Sequence, residues 1–233
     1  SCVKLFSLSK TSFKLIGNLP SFKFNKFNNH IISLLLLNIG VADNNNNILD
    51  TDSHGTNVAG VAAANTHNNV GISGAGFAAK VLPLKVKGVN TAITISNVGE
   101  AIQYAISNGA HIINLSLGAL INKTDSGVTY FQNQITAAKE AGLIVVASAG
   151  NTNPDEPYQL KRYNIDSYVI NGVEHHYIPA SFDSVITVAA STQQNMIASF
   201  SLFGDSVDIT APGHNIISTS FEPSLSSQPS GSR

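Results

Sequence analysis

One histidine of this chain stands in a context suited to acid–base chemistry. His54 opens a stretch of small residues that runs to Gly60. Gly55 lets the backbone turn, and Ala59 and Gly60 let a helix pack closely against its neighbours. An imidazole fixed at a helix N-terminus has the held orientation that a general base needs. A capping histidine without a chemical task is the alternative, and the long specific pattern around His54 favours the base.

Two apolar segments further along the chain end in residues that could act on a peptide. Ile112–Leu115 reads as a strand that opens into Ser116-Leu117-Gly118, and such an end can pair with an extended peptide. Val145–Ala149 reads as a strand followed by Gly150 and Asn151, whose amide could donate to a developing oxyanion. Taken alone, each segment is better explained as an ordinary turn after a strand.

The elements that would position these residues alternate between strand and helix. Apolar spacing predicts helices over Asn57–Asn65, Ser96–Ser107 and Val128–Ala141, and strands over Lys80–Val86, Ile112–Leu115, Leu143–Ala149, Ser184–Ala190 and Val207–Thr210. This alternation predicts an α/β fold with a mostly parallel, doubly wound sheet covered by helices on both faces. Ligands of such sheets bind at the carboxyl ends of the strands, here just after Leu115 and Ala149.

The composition is ordinary for a compact α/β domain. Of 233 residues, 43% are hydrophobic and 12% charged, which provides a sizeable core and argues against a disordered chain. The net charge of −1 argues against nucleic acid as a partner. The single cysteine, Cys2, allows neither an intrachain disulfide nor a cysteine-based zinc site, and we expect no nucleophilic role for it.

No apolar run of the sequence is long enough to span a membrane. The short apolar stretch Ile31–Leu37, followed by Gly40-Val41-Ala42, resembles the core and cleavage point of a signal peptide. The alternative is a buried strand, and we favour it.

The segments SHGTNVAGVAAAN, GISGAGFAAKVLPLKV, GAHIINLSLG, VVASAGN, VITVAAS and ASFSLFGDSVDITAPG, in this order, resemble the subtilisin-like serine peptidases (subtilases, peptidase family S8). The resemblance covers roughly Asp50 to Thr219. It implies a serine-type endopeptidase that acts on polypeptides through an acyl-enzyme, needs no cofactor for its chemistry, works as a monomer and is secreted.

The resemblance also implies roles for individual residues. His54 is the general base and Asn151 the oxyanion donor. Substrate binding falls to Ser116, Leu117 and Gly118, which pair with the peptide backbone, and to Ala147 and Ser148, which wall the main specificity pocket. The insert from Asp155 and Glu156 to Tyr177 is expected to shape specificity.

The aspartate of the triad does not follow the family pattern. Such enzymes carry Asp-Ser/Thr-Gly on a strand ahead of the histidine, and no such motif precedes His54. Asp43, Asp50 and Asp52 all lie in the acidic loop that leads to the histidine, so the aspartate is not assigned, and Asp43 is only the nearest candidate. We therefore divide the chain into a poorly matching segment, 1–42, and a subtilisin-like peptidase domain, 43–233.

The nucleophile motif Gly-Thr-Ser-Met-Ala is also absent. Ile217–Ser220 matches the strand that precedes it in relatives, and counting onward arrives at Ser232 or Arg233. Either Ser232 is the nucleophile or Arg233 stands in its place. The domain is thus expected to be incomplete at both ends and to lack the helix that carries the nucleophile. The alternative function is a catalytically inactive fragment or relative of the same fold that serves as a binding or structural module.

Metal binding is considered at two places. The loop Asn68–Ile72 resembles one that holds a structural calcium in relatives, with Asn68 as a side-chain ligand. His175 and His176 are adjacent, so their side chains would point apart on a strand, and a solvated loop is the expected reading. A nucleotide-binding α/β protein is a third hypothesis, which the lack of a glycine-rich phosphate loop disfavours.

Overall fold

A parallel sheet forms the centre of the fold. The computed structural model describes residues 31–35, 50, 52–77, 79–88, 92–152 and 162–220. In chain order the elements are β1 (Ile31–Leu35), α1 (His54–Ala63), β2 (Lys80–Pro83), α2 (Ile95–Ser107), β3 (Ile112–Leu115), β4 (Ala119–Asn122), α3 (Ser126–Glu140), β5 (Ile144–Ser148), β6 (Tyr168–Ile170), β7 (Val173–Ile178), β8 (Ile186–Ser191) and β9 (Ile209–Pro212). Six strands make the main sheet, in the order β2-β1-β3-β5-β8-β9, and every neighbouring pair is parallel.

The two faces of the sheet bury different side chains, as the pleat requires. Ile113, Leu115 and Val145 point into the core that α2 and α3 cover, whereas Val146 belongs to a separate cluster with Val188, Ala190 and Ala198. On β2, Val81 packs against α1, while its neighbour Leu82 packs against the core of α2 and α3. Helices therefore cover both faces, and the predicted α/β architecture is confirmed.

Helix α2 has a cap at its start, together with the regular apolar face and the glycine at its end that predicted it. Thr94 caps it by accepting a 3.1 Å hydrogen bond from the Asn97 amide, and Val98, Ala101, Ile102 and Ala105 form its buried face. The helix ends at Asn108-Gly109, where Gly109 takes the left-handed φ of 70°. The observed Ile95–Ser107 differs from the predicted range by one residue.

A second, smaller sheet was not predicted. It is antiparallel, in the order β4-β7-β6, and pairs Leu120 with Tyr177 and Tyr168 with His175. Its strands are three to six residues long and carry mixed polar and apolar side chains, so the alternation that signals a strand is weak. The small sheet brings β7 beside the end of β3, which matters for the site.

The apolar stretch Ile31–Leu37 contributes strand β1, which lies between β2 and β3 in the main sheet. The strand interpretation is thus confirmed for Ile31–Leu35. Cys2, Asp43, Asp155, Glu156, Ser232 and Arg233 lie outside the described residues. Within the ranges that the structure covers, no helix combines the length and the apolar character needed to cross a membrane.

Candidate active site

The histidine singled out above is the first residue of α1. Both ring nitrogens of His54 are buried, while the residue as a whole is half-buried. Helix α1 begins three residues earlier than predicted. The predicted placement of His54 at a helix start agrees with the structure, and its role as a base stays a prediction.

A carboxylate four residues ahead of His54 determines where α1 begins. Asp50 is only 6% exposed. One of its oxygens accepts from the amides of Asp52 and Ser53, both at 2.9 Å, and the other accepts from the Thr56 amide at 2.7 Å and the Thr56 hydroxyl at 2.6 Å. Because these donors flank His54, Asp50 fixes the backbone that carries the imidazole. A carboxylate just before a helix is a known capping signal, but its distance from the small-residue pattern concealed it.

Replacing Asp50 with alanine is expected to lower the free energy of unfolding by about 3 kcal/mol, since it removes a cap and leaves three part-buried amides and the Thr56 hydroxyl without this acceptor. The matched control is Asp125→Ala, which removes the exposed cap of α3 and its single 2.7 Å bond from the Gly127 amide. That change should cost about 1 kcal/mol. Urea unfolding of both variants measures the difference, and equal losses would contradict the positioning role of Asp50.

The segment that ends the described chain lies against the same helix. The Thr219 hydroxyl donates to the Thr56 carbonyl at 2.7 Å, and the Ser218 hydroxyl donates to the Asn57 carbonyl at 2.5 Å. A Cβ on Gly60 would collide with both hydroxyl groups, so the close approach depends on that glycine. The segment predicted to precede the nucleophile thus packs on the first turns of the His54 helix.

The end of β3 presents the predicted substrate-pairing residues. Ser116 is buried, and its hydroxyl accepts a 2.9 Å hydrogen bond from the side-chain amide of Asn114. Leu117 is half-buried against the main core, and Gly118 is exposed. The chain therefore emerges from the sheet at Gly118, where a peptide could reach its backbone.

The end of β5 holds the predicted oxyanion donor. Asn151 forms an antiparallel bridge with Ser201, flanked by bonds from Leu202 N to Gly150 O (3.0 Å) and from Thr152 N to Phe200 O (2.8 Å). Ala147 is fully buried in the main core and Ser148 is 2% exposed. The backbone at Asn151 is consequently held against the segment Phe200–Leu202, whereas the predicted wall residues Ala147 and Ser148 lie below the surface.

Topology brings these parts to one edge of the sheet. Strands β1 and β2 are parallel, so the connecting helix α1 runs back along them and starts at their carboxyl edge. The parallel strands β3 and β5 end at that same edge. His54, Ser116 and Asn151 therefore share the edge where ligands of such sheets bind.

The loop considered for calcium has a local hydrogen bond of its own. The side-chain oxygen of Asn68 accepts from the Val70 amide at 3.1 Å, and Asn68 is exposed. In the part of the chain that the structure describes, no three or more His, Cys, Asp or Glu residues cluster around a common point. The charged oxygen ligands that calcium prefers are thus not gathered near Asn68 by these residues, and a calcium role for Asn68 stays a prediction.

The histidine pair lies on β7, not in a loop, so the expectation of a solvated loop was wrong. The ring of His175 bonds to the Val173 carbonyl at 2.9 Å, while the His176 ring contacts the Ser181 hydroxyl at 3.1 Å and Phe182 edge to face. Adjacent strand residues point to opposite faces, which separates the two rings as expected.

Stability should fall in mild acid because of His176. Burial lowers the pKa of His176 from its ordinary value of 6.5, and the charge of Lys123 acts in the same direction. The unfolded chain therefore binds the proton more readily, so the contribution of this site to stability is complete above pH 6.5 and declines as the pH falls below it. Urea unfolding between pH 7.5 and 5 should show a smaller decline in His176→Gln than in His175→Gln, and equal declines would contradict the assignment.

Comparisons with known proteins agree with this architecture. A model described as the Subtilase family matches residues 36–233. A protein named "Thermophilic serine proteinase" from Bacillus sp. (strain AK1) is 38% identical over 177 residues, which are 76% of this chain and 38% of that protein. An "Extracellular protease" from Xanthomonas campestris pv. campestris is 36% identical over 176 residues, covering 71% of this chain and 26% of that protein.

A solved structure supports the fold independently. MycP1 from Mycobacterium smegmatis aligns with a TM-score of 0.69 at 21% identity, covering 84% of this chain and 60% of that one. The chain spans less than half the length of the Bacillus and the Xanthomonas relatives. Because the family match takes in most of its residues, the chain belongs to the Subtilase family.

Proposed function

We propose that this protein is a serine-type endopeptidase that hydrolyses polypeptides through an acyl-enzyme. The observation that carries the proposal is the meeting of α1, β3 and β5 at one edge of the sheet, with His54, Ser116 and Asn151 at their ends. Membership of the Subtilase family and the protease names of the curated relatives support the same reaction.

The chemistry assigns each of these residues a part. His54 takes the proton of a serine hydroxyl as its oxygen attacks the scissile carbonyl, and the Asn151 amide donates to the resulting oxyanion. Collapse of this intermediate breaks the C–N bond, the leaving amine takes the proton from His54, and an ester remains. Water then repeats the sequence and releases the acid. Ser232 is the candidate nucleophile, and Asp43 is the candidate that would orient His54.

The proposed substrate is an extended polypeptide that pairs with the backbone at Ser116, Leu117 and Gly118. Main-chain pairing of this kind gives affinity with little dependence on sequence, and the side-chain pocket beside it gives specificity. Ala147 and Ser148 would form the wall of that pocket from below. By analogy with the Xanthomonas relative named as extracellular, we propose that the protein acts outside the cell. The monomer expected from the family resemblance stays a prediction.

Digestion of an unfolded polypeptide tests the proposal. The full chain is incubated with a reduced, alkylated substrate protein, and the products are identified by mass spectrometry, with heat-inactivated chain as the control. We expect new internal termini that disappear when a serine-reactive inhibitor is added. Products trimmed only from their ends, or no new termini at all, would refute the endopeptidase assignment.

A non-catalytic binding module of the same fold is the second candidate. The observation that favours it is that the residues ahead of His54 in this sequence contain no Asp-Ser/Thr-Gly. This candidate predicts that the chain binds extended peptides and leaves them intact. If the chain binds extended peptides in a separate binding measurement and the digestion experiment shows no cleavage, the binding module is favoured.

A further inference from the structure

An aromatic ring occupies the gap between the two segments proposed to bind substrate. The ζ carbon of Tyr177 lies 2.8 Å from where a Cβ on Gly118 would stand and 2.7 Å from where a Cβ on Gly150 would stand. Neither glycine could be replaced by alanine without moving the ring. The ring edge of Tyr177 is therefore inserted between the end of β3 and the end of β5.

The ring is held by the small sheet. The Tyr177 amide donates to the Ile165 carbonyl at 2.8 Å, and its carbonyl accepts from the Ser181 amide at 3.0 Å. Across the strand pair it faces Leu120, and its ring centroid lies 6.5 Å from that of Tyr163. Tyr177 is half-buried, so part of the residue stays accessible. The backbone on both sides is thus fixed, which restricts how far the ring can move.

A substrate strand would direct one side chain at this ring. A peptide paired with the backbone at Ser116–Gly118 points alternate side chains to opposite sides. One set points into the space between the ends of β3 and β5, which is where the ring lies. Any side chain entering that space must fit beside Tyr177.

We propose that Tyr177 sets the size limit of the side-chain pocket next to the scissile bond, so that the chain accepts glycine, alanine or serine there and disfavours bulky residues. This inference rests on the proposed function, because it places the substrate along Ser116–Gly118. The ring lies between two glycines, Gly118 and Gly150, which have no side chains to narrow the pocket. The Tyr177 ring therefore determines how much space remains for a substrate side chain.

Paired peptides that differ at one position test the proposal. Six-residue peptides carry alanine or phenylalanine at the position before the scissile bond. Their binding to the His54→Ala chain is measured by calorimetry, and their hydrolysis by the unaltered chain is measured alongside. The variants are Tyr177→Ala, Tyr177→Phe as the conservative change, and Tyr168→Ala as the control. Tyr168 belongs to the same small sheet and packs on Tyr163 at 4.8 Å.

With Tyr177 present, the alanine peptide should bind at least about tenfold more tightly than the phenylalanine peptide, the scale of discrimination that pocket size supplies. Tyr177→Ala should abolish or reverse this preference, whereas Tyr177→Phe and Tyr168→Ala should retain it. The proposal would be overturned if the His54→Ala chain with Tyr177 intact bound the two peptides equally. It would also be overturned if the preference for alanine survived Tyr177→Ala.

Two further outcomes separate this inference from the proposed function. A Tyr177-dependent preference in binding, with no hydrolysis of either peptide, supports the size limit and refutes the endopeptidase. Failure of the chain to bind either peptide refutes the size limit, because the surface at Ser116–Gly118 would then not be a peptide groove.

Discussion

Replacing His54 with alanine is expected to lower kcat for peptide hydrolysis by about 10⁶-fold, a magnitude measured in subtilisin, which is a member of the same family. The reason is that His54 is the proposed base, and without it the serine oxygen would attack as a weakly nucleophilic hydroxyl. KM should change little, because the imidazole contributes mainly to the transition state. Steady-state kinetics on a fluorogenic peptide provide the measurement.

The control for this variant is His214→Ala. His214 is exposed and stacks on Phe200 with ring centroids 6.2 Å apart. Activity should be retained in the control. If His54→Ala kept even a hundredth of the activity while remaining folded, His54 would not be the general base.

Replacing Asn151 with alanine should lower kcat by about 10²- to 10³-fold with little change in KM, the cost of one oxyanion donor in subtilisin. The amide would act only on the negative oxygen of the tetrahedral intermediate, so the ground-state complex loses little. The backbone around Asn151 is held by its bridge to Ser201, which should keep the variant folded.

Asn133→Ala is the matched control, because Asn133 is also an asparagine but lies exposed within helix α3. It should leave both kinetic constants unchanged. A loss in Asn151→Ala that appears in KM alone would indicate a substrate-binding residue and contradict the oxyanion role.

The sequence predicted well those elements whose pattern is local. Helix α2 has a regular apolar face and ends in Asn-Gly, and the limits of β3 follow from its unbroken apolar run. Both were predicted to within one residue. The positions of His54 and Asn151 at the ends of elements followed from the same local patterns, because glycines and small residues mark those ends.

Long-range contacts determine the features that the sequence did not reveal. Strands β4 and β7 pair because Leu120 meets Tyr177 and because Lys123 forms a 2.7 Å ion pair with Glu174, 51 positions away. Neither contact leaves a periodic signal. The cap of α1 by Asp50 was missed for a related reason, since it depends on a turn that folds the carboxylate back onto Thr56.

The contact between α1 and the segment ending at Ser220 could not be read from the sequence either. It depends on hydroxyl groups more than 160 positions away from their carbonyl partners. It places Ser218 and Thr219 against the first turns of the helix that begins at His54. The motifs of the sequence predicted the order of α1 and the Ser218–Ser220 segment along the chain. Their close approach depends on the space that Gly60 leaves for the two hydroxyl groups.

Covalent labelling by a fluorophosphonate probe tests the central claim most directly. Such probes react with a serine hydroxyl only when a neighbouring base activates it. We predict that the full chain is labelled, that peptide mapping locates the adduct on Ser232, and that His54→Ala is not labelled. A folded chain that does not react, or one labelled equally with and without His54, would contradict the existence of a serine nucleophile activated at this edge of the sheet.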